Sequence, residues 1–145
     1  MVVAAIAALA GWGIGALDLD GTPLDNTAGL VFGVVLAVAG MVVGGAGVHQ
    51  FRRAATTVNP HLIHQASNVV YSGVYRFTRN PMYLGLAAVV GAWCFALGTV
   101  VGCAVAVGIF VVSINRFQII PEERMLSDKF GVVYTQYCDN TRRWL

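Results

Sequence analysis

The chain has 145 residues, of which 57% are apolar and 11% charged, with a formal net charge of +2. Soluble domains carry about 25% charged residues. This chain therefore lacks the charge to cover a water-facing surface, and its composition specifies an integral membrane protein built as one domain over residues 1–145. No basic face interleaved with aromatics is present, so nucleic-acid binding is not expected.

Met1–Leu17 carries no charge and reads as a short first span. It lacks a basic leader and a cleavage site, so a retained span is expected. Asp18–Asp25 holds three Asp, a Pro and a Gly and reads as a loop. The stretch from Asn26 to Phe51 is uncharged and is expected to make a full-length span. A polar connection follows over 52–80, opening with a turn signal at Asn59-Pro60. Asn80–Asn115 then runs 36 residues without a charge. As one helix it would reach ~54 Å, well beyond the bilayer core, so it must turn back. A hairpin at Leu97-Gly98-Thr99 divides it into spans over 81–97 and 99–115.

The tail, 116–145, is mixed. Leu126, Phe130, Tyr134 and Tyr137 recur at three- and four-residue steps and predict an amphipathic helix. Pro121 suits a first helical position, and Glu122-Glu123 suit the first turn. All nine Lys and Arg fall in the 52–79 connection and the tail. By the positive-inside bias, both termini, the connection and the tail helix are expected on the cytoplasmic side. The expected fold is all-α and multi-pass: four spans, the last two a helical hairpin, then the tail helix. Small-xxx-small pairs (Gly11/Gly15, Gly29/Gly33, Gly40/Gly44, Gly98/Gly102) predict close helix packing, within the chain or between copies.

Two polar clusters share the predicted cytoplasmic side: Tyr71–Gly85 and Glu122-Glu123. Arg76 and Arg79 offer charge-assisted donors for a carboxylate or phosphate. Gly73 and Gly85 let backbone approach a ligand, and Asn80-Pro81 frees main-chain groups at the membrane edge. Glu122 or Glu123 suits an ammonium or ribose hydroxyls. Together these describe a site for a zwitterionic, ribose-bearing cofactor. Plainer readings stand beside this one. The arginines anchor a span, Tyr71, Tyr75 and Tyr83 form an interfacial belt, and the Glu pair offsets a helix start. Arg142 and Arg143 read as lipid contacts or a tail cap, with a reach by one of them to cofactor or substrate as the alternative, and Trp144 reads as an interface anchor. The cysteines Cys94, Cys103 and Cys138 form no CxxC pair and read as small core hydrophobes. His61-x-x-His64 has no further ligand at metal spacing, so no metal site is expected.

Gly73–Gly85 (GVYRFTRNPMYLG), followed by Pro121–Trp144 (PEERMLSDKFGVVYTQYCDNTRRW), resembles the isoprenylcysteine carboxyl methyltransferase and phospholipid methyltransferase group. The shared pattern is G-x-Y-x-x-x-R-[HN]-P-x-Y-x-G, a Glu-Glu pair, then F-G-x-x-Y-x-x-Y. It covers Thr56 to the end, about half the chain. Asn80 stands where the carboxyl methyltransferases usually carry His, which leans toward bacterial members of mixed substrate. The resemblance implies an integral membrane methyltransferase using S-adenosylmethionine. It implies a cofactor pocket lined by Gly73, Val74, Tyr75, Arg79, Asn80, Pro81, Tyr83, Leu84 and Gly85, completed by Glu122 and Glu123. The acceptor it implies is lipophilic or small (a carboxylate, thiol or amine) and enters from the bilayer. Methyl transfer from a sulfonium needs alignment above all. Only an ammonium acceptor requires a base, and His61, His64, Glu122, Glu123 and the tyrosines all stay open for that part. Two other classes stand as alternatives: a membrane reductase using NADPH, and a non-catalytic protein binding lipid or a partner.

Overall fold

A computed structural model describes residues 26–54, 69–96 and 100–145. The expected first span over 1–17, the acidic loop, the Asn59-Pro60 turn, the two loop histidines and the 97–99 hairpin lie outside the described residues. Within them the chain is helical, with no strand. Its helices are α1 (Asn26–Arg53), α2 (Pro81–Ala96), α3 (Val100–Ile114), α4 (Ile120–Phe130) and α5 (Val132–Asn140). A 3-10 turn spans Gly73–Arg76, and a π-helical turn, Asn115–Ile119, joins α3 to α4.

Thr27–Arg53 and Val100–Phe130 are long and apolar enough to cross a membrane, and Pro81–Ala96 is apolar but shorter. Large side chains of α1 stay exposed along its length, from Leu30 and Phe32 to Met41 and Val42. A water-facing surface does not tolerate so long an apolar face; a lipid-facing one requires it.

The expected span over 99–115 does not end at Asn115. The helix widens there into a π turn and continues through α4. Pro121 supplies a reason, since it has no N–H for the ladder and its ring crowds the carbonyl four residues earlier. A wider turn just upstream gives that carbonyl room. The tail is two helices rather than one. Gly131 breaks it at φ 52 and ψ −125, a backbone region that suits glycine.

The described residues form two compact units. The first contains 26–42 and 85–114. Here α1 and α2 meet at their small residues: a β-carbon on Gly40 would lie 2.6 Å from the Gly85 carbonyl oxygen, and one on Gly33 2.8 Å from that of Ala92. Phe32 packs edge-on against Phe95 at 4.8 Å. Cys94, Ala106 and Phe110 are fully buried. Cys103 donates its S–H toward the Gly91 carbonyl at 3.7 Å. The two span cysteines therefore sit in the core as expected.

The second unit contains 43–54, 69–84 and 115–145. It holds the end of α1, the 3-10 turn, the start of α2, the π turn, α4, α5 and the C-terminal segment. The polar residues singled out above gather here, apart from Gly85.

Candidate functional site

Asn80 and Pro81 begin α2 as N-cap and first helical residue, the pairing that helix starts favour. The first intrahelical bond runs from Leu84 N to Asn80 O, 2.9 Å. The amides of Met82 and Tyr83 precede it and have no acceptor inside the helix. Asn80 directs its side chain elsewhere: Nδ2 donates to the Arg143 carbonyl at 2.9 Å. Buried Thr78 donates to that same carbonyl at 3.3 Å and accepts from Asn80 N at 3.1 Å. Arg79 N donates to the Arg142 carbonyl at 2.9 Å. Trp144 Nε1 donates to Asn115 Oδ1 at 3.1 Å. The last residues thus form a strap over the start of α2, held largely through their main chain.

The two glutamates have different surroundings. Glu123 receives a bidentate fork from Arg143, Nε to Oε1 at 3.0 Å and Nη2 to Oε2 at 2.6 Å. Arg79 Nη1 lies 3.2 Å from the same Oε1. The trio Arg79, Arg143 and Glu123 sums to +1. The hydrogen bond to Glu123 pushes the already high pKa of Arg143 higher. Arg79 also approaches the sulfur of Cys138, and its Nε is buried without a partner. Glu122, by contrast, accepts a hydrogen bond from a neutral group, the Tyr83 hydroxyl, at 2.6 Å.

Tyr75 in the 3-10 turn is 4% exposed. Its ring meets Phe51 edge-on at 5.3 Å, and its carbonyl accepts from Tyr137 Oη at 2.9 Å. Burial, then the negative fields of Tyr137 and Glu122, push its hydroxyl pKa well above the ordinary value. Tyr134 and Tyr137 are raised chiefly by burial too, and for Tyr137 the Arg79 charge opposes the rise.

The sequence-derived residues divide accordingly. Tyr75, Arg79, Asn80, Pro81, Tyr83, Glu122 and Glu123 come together in the second unit, with Val74 and Leu84 half-buried there. Gly73 is exposed at φ 60, and a β-carbon on it would strike the Gln50 amide; its freedom shapes the turn. Gly85 lies in the first unit, buried against Gly40. Arg76 and His49 are exposed. The sequence reading missed Gly47 and Phe51 of α1, which carry no polar signature, and Gln50, a single amide at the end of an uncharged run. It also missed Tyr137, although the F-G-x-x-Y-x-x-Y pattern contains it. Arg143 was read as a lipid contact or cap and is instead the main partner of Glu123.

No cluster of metal-binding side chains occurs among the described residues. A family model described as phospholipid methyltransferase matches residues 28–132. A protein of Haemophilus influenzae, described as uncharacterized, is 44% identical over 64 residues, which is 44% of this chain and 100% of that protein. No solved structure matches the chain.

Proposed function

The chain belongs to the phospholipid methyltransferase family, and from that premise we propose that it transfers a methyl group from S-adenosylmethionine to a lipophilic or small acceptor at the membrane. The observation that carries this is the pair of unlike carboxylates on α4. Glu123 is neutralised by two arginines, while Glu122, held by a phenol, keeps a negative charge beside Tyr75 and Tyr83. A partly buried carboxylate beside phenols suits a cation or a pair of ribose hydroxyls. The residues present fit the cofactor the family implies.

When bound, S-adenosylmethionine supplies a methyl group on a sulfonium. The chain's own part is to orient and to exclude water. Glu122 binds the cationic end. Arg79, with Arg143 and Glu123, sets a net positive wall. The strap of 141–144 covers the start of α2 and fixes Asn80 and Arg79. Alignment is the main contribution of such a site, because a near-attack arrangement replaces a bimolecular encounter.

The same reading puts four spans in the membrane, with α2 and α3 as the second pair. Both termini and the site face the cytoplasm, by the clustering of Lys and Arg in 52–79 and 116–145. The acceptor enters from the bilayer. The family assignment favours methyl transfer over the reductase and the non-catalytic readings.

The test is calorimetric titration of the detergent-purified chain with S-adenosylhomocysteine, beside Glu122→Gln. We expect micromolar-range binding by the wild type, weakened at least tenfold by the substitution. A monodisperse, helical wild type that binds neither this compound nor S-adenosylmethionine would refute the proposal.

A further inference from the structure

No Asp or Glu occurs between Asp25 and Glu122, whereas Arg52, Arg53, Arg76 and Arg79 fall in that stretch. Arg79 is paired with Glu123. Arg52, Arg53 and Arg76 are exposed and make no ion pair among the described residues. A group of unbalanced like charges sets up a field that an anion relieves.

Two of these arginines flank one amide. Ser72 Oγ donates to Gln50 Oε1 at 3.3 Å, and a β-carbon on Gly73 would strike the same Gln50 side chain. Gly73 opens the 3-10 turn and Arg76 closes it. Residues three apart eclipse in such a turn, so Arg76 projects from the face on which Gly73 meets Gln50. On α1, Arg53 stands three residues beyond Gln50, a neighbouring position on the helix surface. The backbone beneath is firmly held. Tyr75 N and Phe77 N donate to the Ser72 and Val74 carbonyls, both at 3.2 Å, and the Tyr75 ring packs on Phe51. Arg53 and Arg76 thus form a basic corner at the end of α1.

The segment around the turn also presents two aromatics outward: Tyr71 is 66% exposed and Phe77 75%. From Asn26 to Phe51, α1 is uncharged, and it is long and apolar enough to cross a membrane. Its first charges, Arg52 and Arg53, therefore fall at the headgroup layer. Aromatics and arginines together suit that layer, where a ring keeps its apolar body out of water. Guanidinium forks match phosphate oxygens. A zwitterionic headgroup brings a cation that unpaired arginines repel; a headgroup of net negative charge does not.

We propose that Arg53 and Arg76, flanked by Tyr71 and Phe77, bind the headgroup of an anionic phospholipid, held as a resident lipid and not as the methyl acceptor. The site depends on membrane insertion and not on methyl transfer, and neither arginine takes part in the Glu123 ion pairs.

A basic residue beside an anionic headgroup is worth about fivefold in affinity, and the pair about 25-fold. The full chain in detergent is titrated calorimetrically with dihexanoyl phosphatidylglycerol, dihexanoyl phosphatidylcholine and inorganic phosphate. The wild type should bind the anionic lipid about 25-fold more tightly than the zwitterionic one. Arg53→Gln/Arg76→Gln should bind the two lipids alike. Arg124→Gln, which removes an exposed charge from α4, should keep the wild-type preference. Phe77→Ala should weaken both lipids by the same factor. Equal wild-type affinity for the two lipids overturns the proposal, as does a double variant that keeps the preference. An Arg124→Gln loss equal to that of the double variant overturns it too, since net charge alone then explains the effect. Inorganic phosphate that binds as tightly as the anionic lipid, or lipid affinities untouched by Phe77→Ala, overturns a lipid as the occupant. Should the double variant fail to fold, Arg76→Gln is read alone: an anionic-lipid affinity about fivefold weaker supports the site, and no loss overturns it. A chain that binds no adenosyl compound leaves all of these readings in place.

Discussion

Replacing Glu123 by Gln keeps the shape of the side chain and removes its charge. Three nitrogen–oxygen contacts meet this carboxylate, at 2.6, 3.0 and 3.2 Å. Arg79 is 15% exposed and Glu123 19%, while Arg143 is 40% exposed. An exposed ion pair contributes about 0.2–1 kcal/mol, and breaking a buried one costs about 3–5 kcal/mol. The Arg143 fork belongs near the lower range because water screens it. The Arg79 contact belongs nearer the upper, because its guanidinium is mostly buried and its Nε already lacks a partner. Glu123→Gln is therefore expected to cost about 2 kcal/mol. For a chain of 145 residues that lowers Tm by roughly 6 °C. The assay is thermal unfolding in detergent, followed by circular dichroism, on Glu123→Gln, Arg143→Leu and the double variant. Contacting groups couple by about 0.5–3 kcal/mol, so the double variant should lose less than the two singles together. A shift in Tm below about 1 °C, or strict additivity, would refute the charge-balance account of Glu123.

Other substitutions test the packing. Gly40→Ala drives a β-carbon to 2.6 Å from a backbone oxygen, whereas Gly45 has nothing within 4 Å. The first should lose about 1–3 kcal/mol and Gly45→Ala should be neutral or gain up to about 1 kcal/mol; equal melting temperatures would overturn the helix-contact reading. Gly73→Ala should lose about 2 kcal/mol through its positive φ and the Gln50 clash. Adding Gln50→Ala should recover the steric share only, and full recovery would argue against backbone strain. Stability should also fall in alkali. Tyr75, Tyr134 and Tyr137 have folded-state pKa values raised above the ordinary 10.0, so the folded state holds these protons longer than the unfolded one. Their contribution is full below pH 10 and is lost as pH rises from there toward the raised values. Each adds a slope of about 1.4 kcal/mol per pH unit. Tyr137→Phe should flatten the fall in stability between pH 10 and 11 by about 1 kcal/mol, and an unchanged slope would show that Tyr137 is not protected from ionising.

Much of the site could be read from residue type and spacing. Tyr75, Arg79, Tyr83 and the Glu pair announce themselves as polar residues in an apolar chain, and two motif blocks tie them to one family. What stayed hidden was partnering. Glu122 and Glu123 are adjacent and chemically identical, and only the fold gives one of them two arginines and the other a phenol. Arg143 lies 20 residues from Glu123, a separation at which no local rule applies. The glycine pattern shows the same limit. The four-residue pairs Gly29/Gly33 and Gly40/Gly44 predict close packing, and within the first unit Gly33 and Gly40, seven residues apart, both lie close to α2. Two turns of helix return to the same face, and which face is used depends on the partner.

The apolar runs were enough to establish helices α1 to α3, because a segment that satisfies its backbone internally and meets lipid needs only length and hydropathy. Composition likewise pointed to a membrane protein without reference to any contact. The π turn, the break at Gly131 and the strap over α2 were decided by tertiary structure. Each is a response to a neighbour distant in sequence or to a local conflict that several conformations could relieve. The unlike partners of the two glutamates and the unpartnered Tyr75 hydroxyl arise the same way, since a hydrogen bond is a property of two groups and the sequence lists them one at a time.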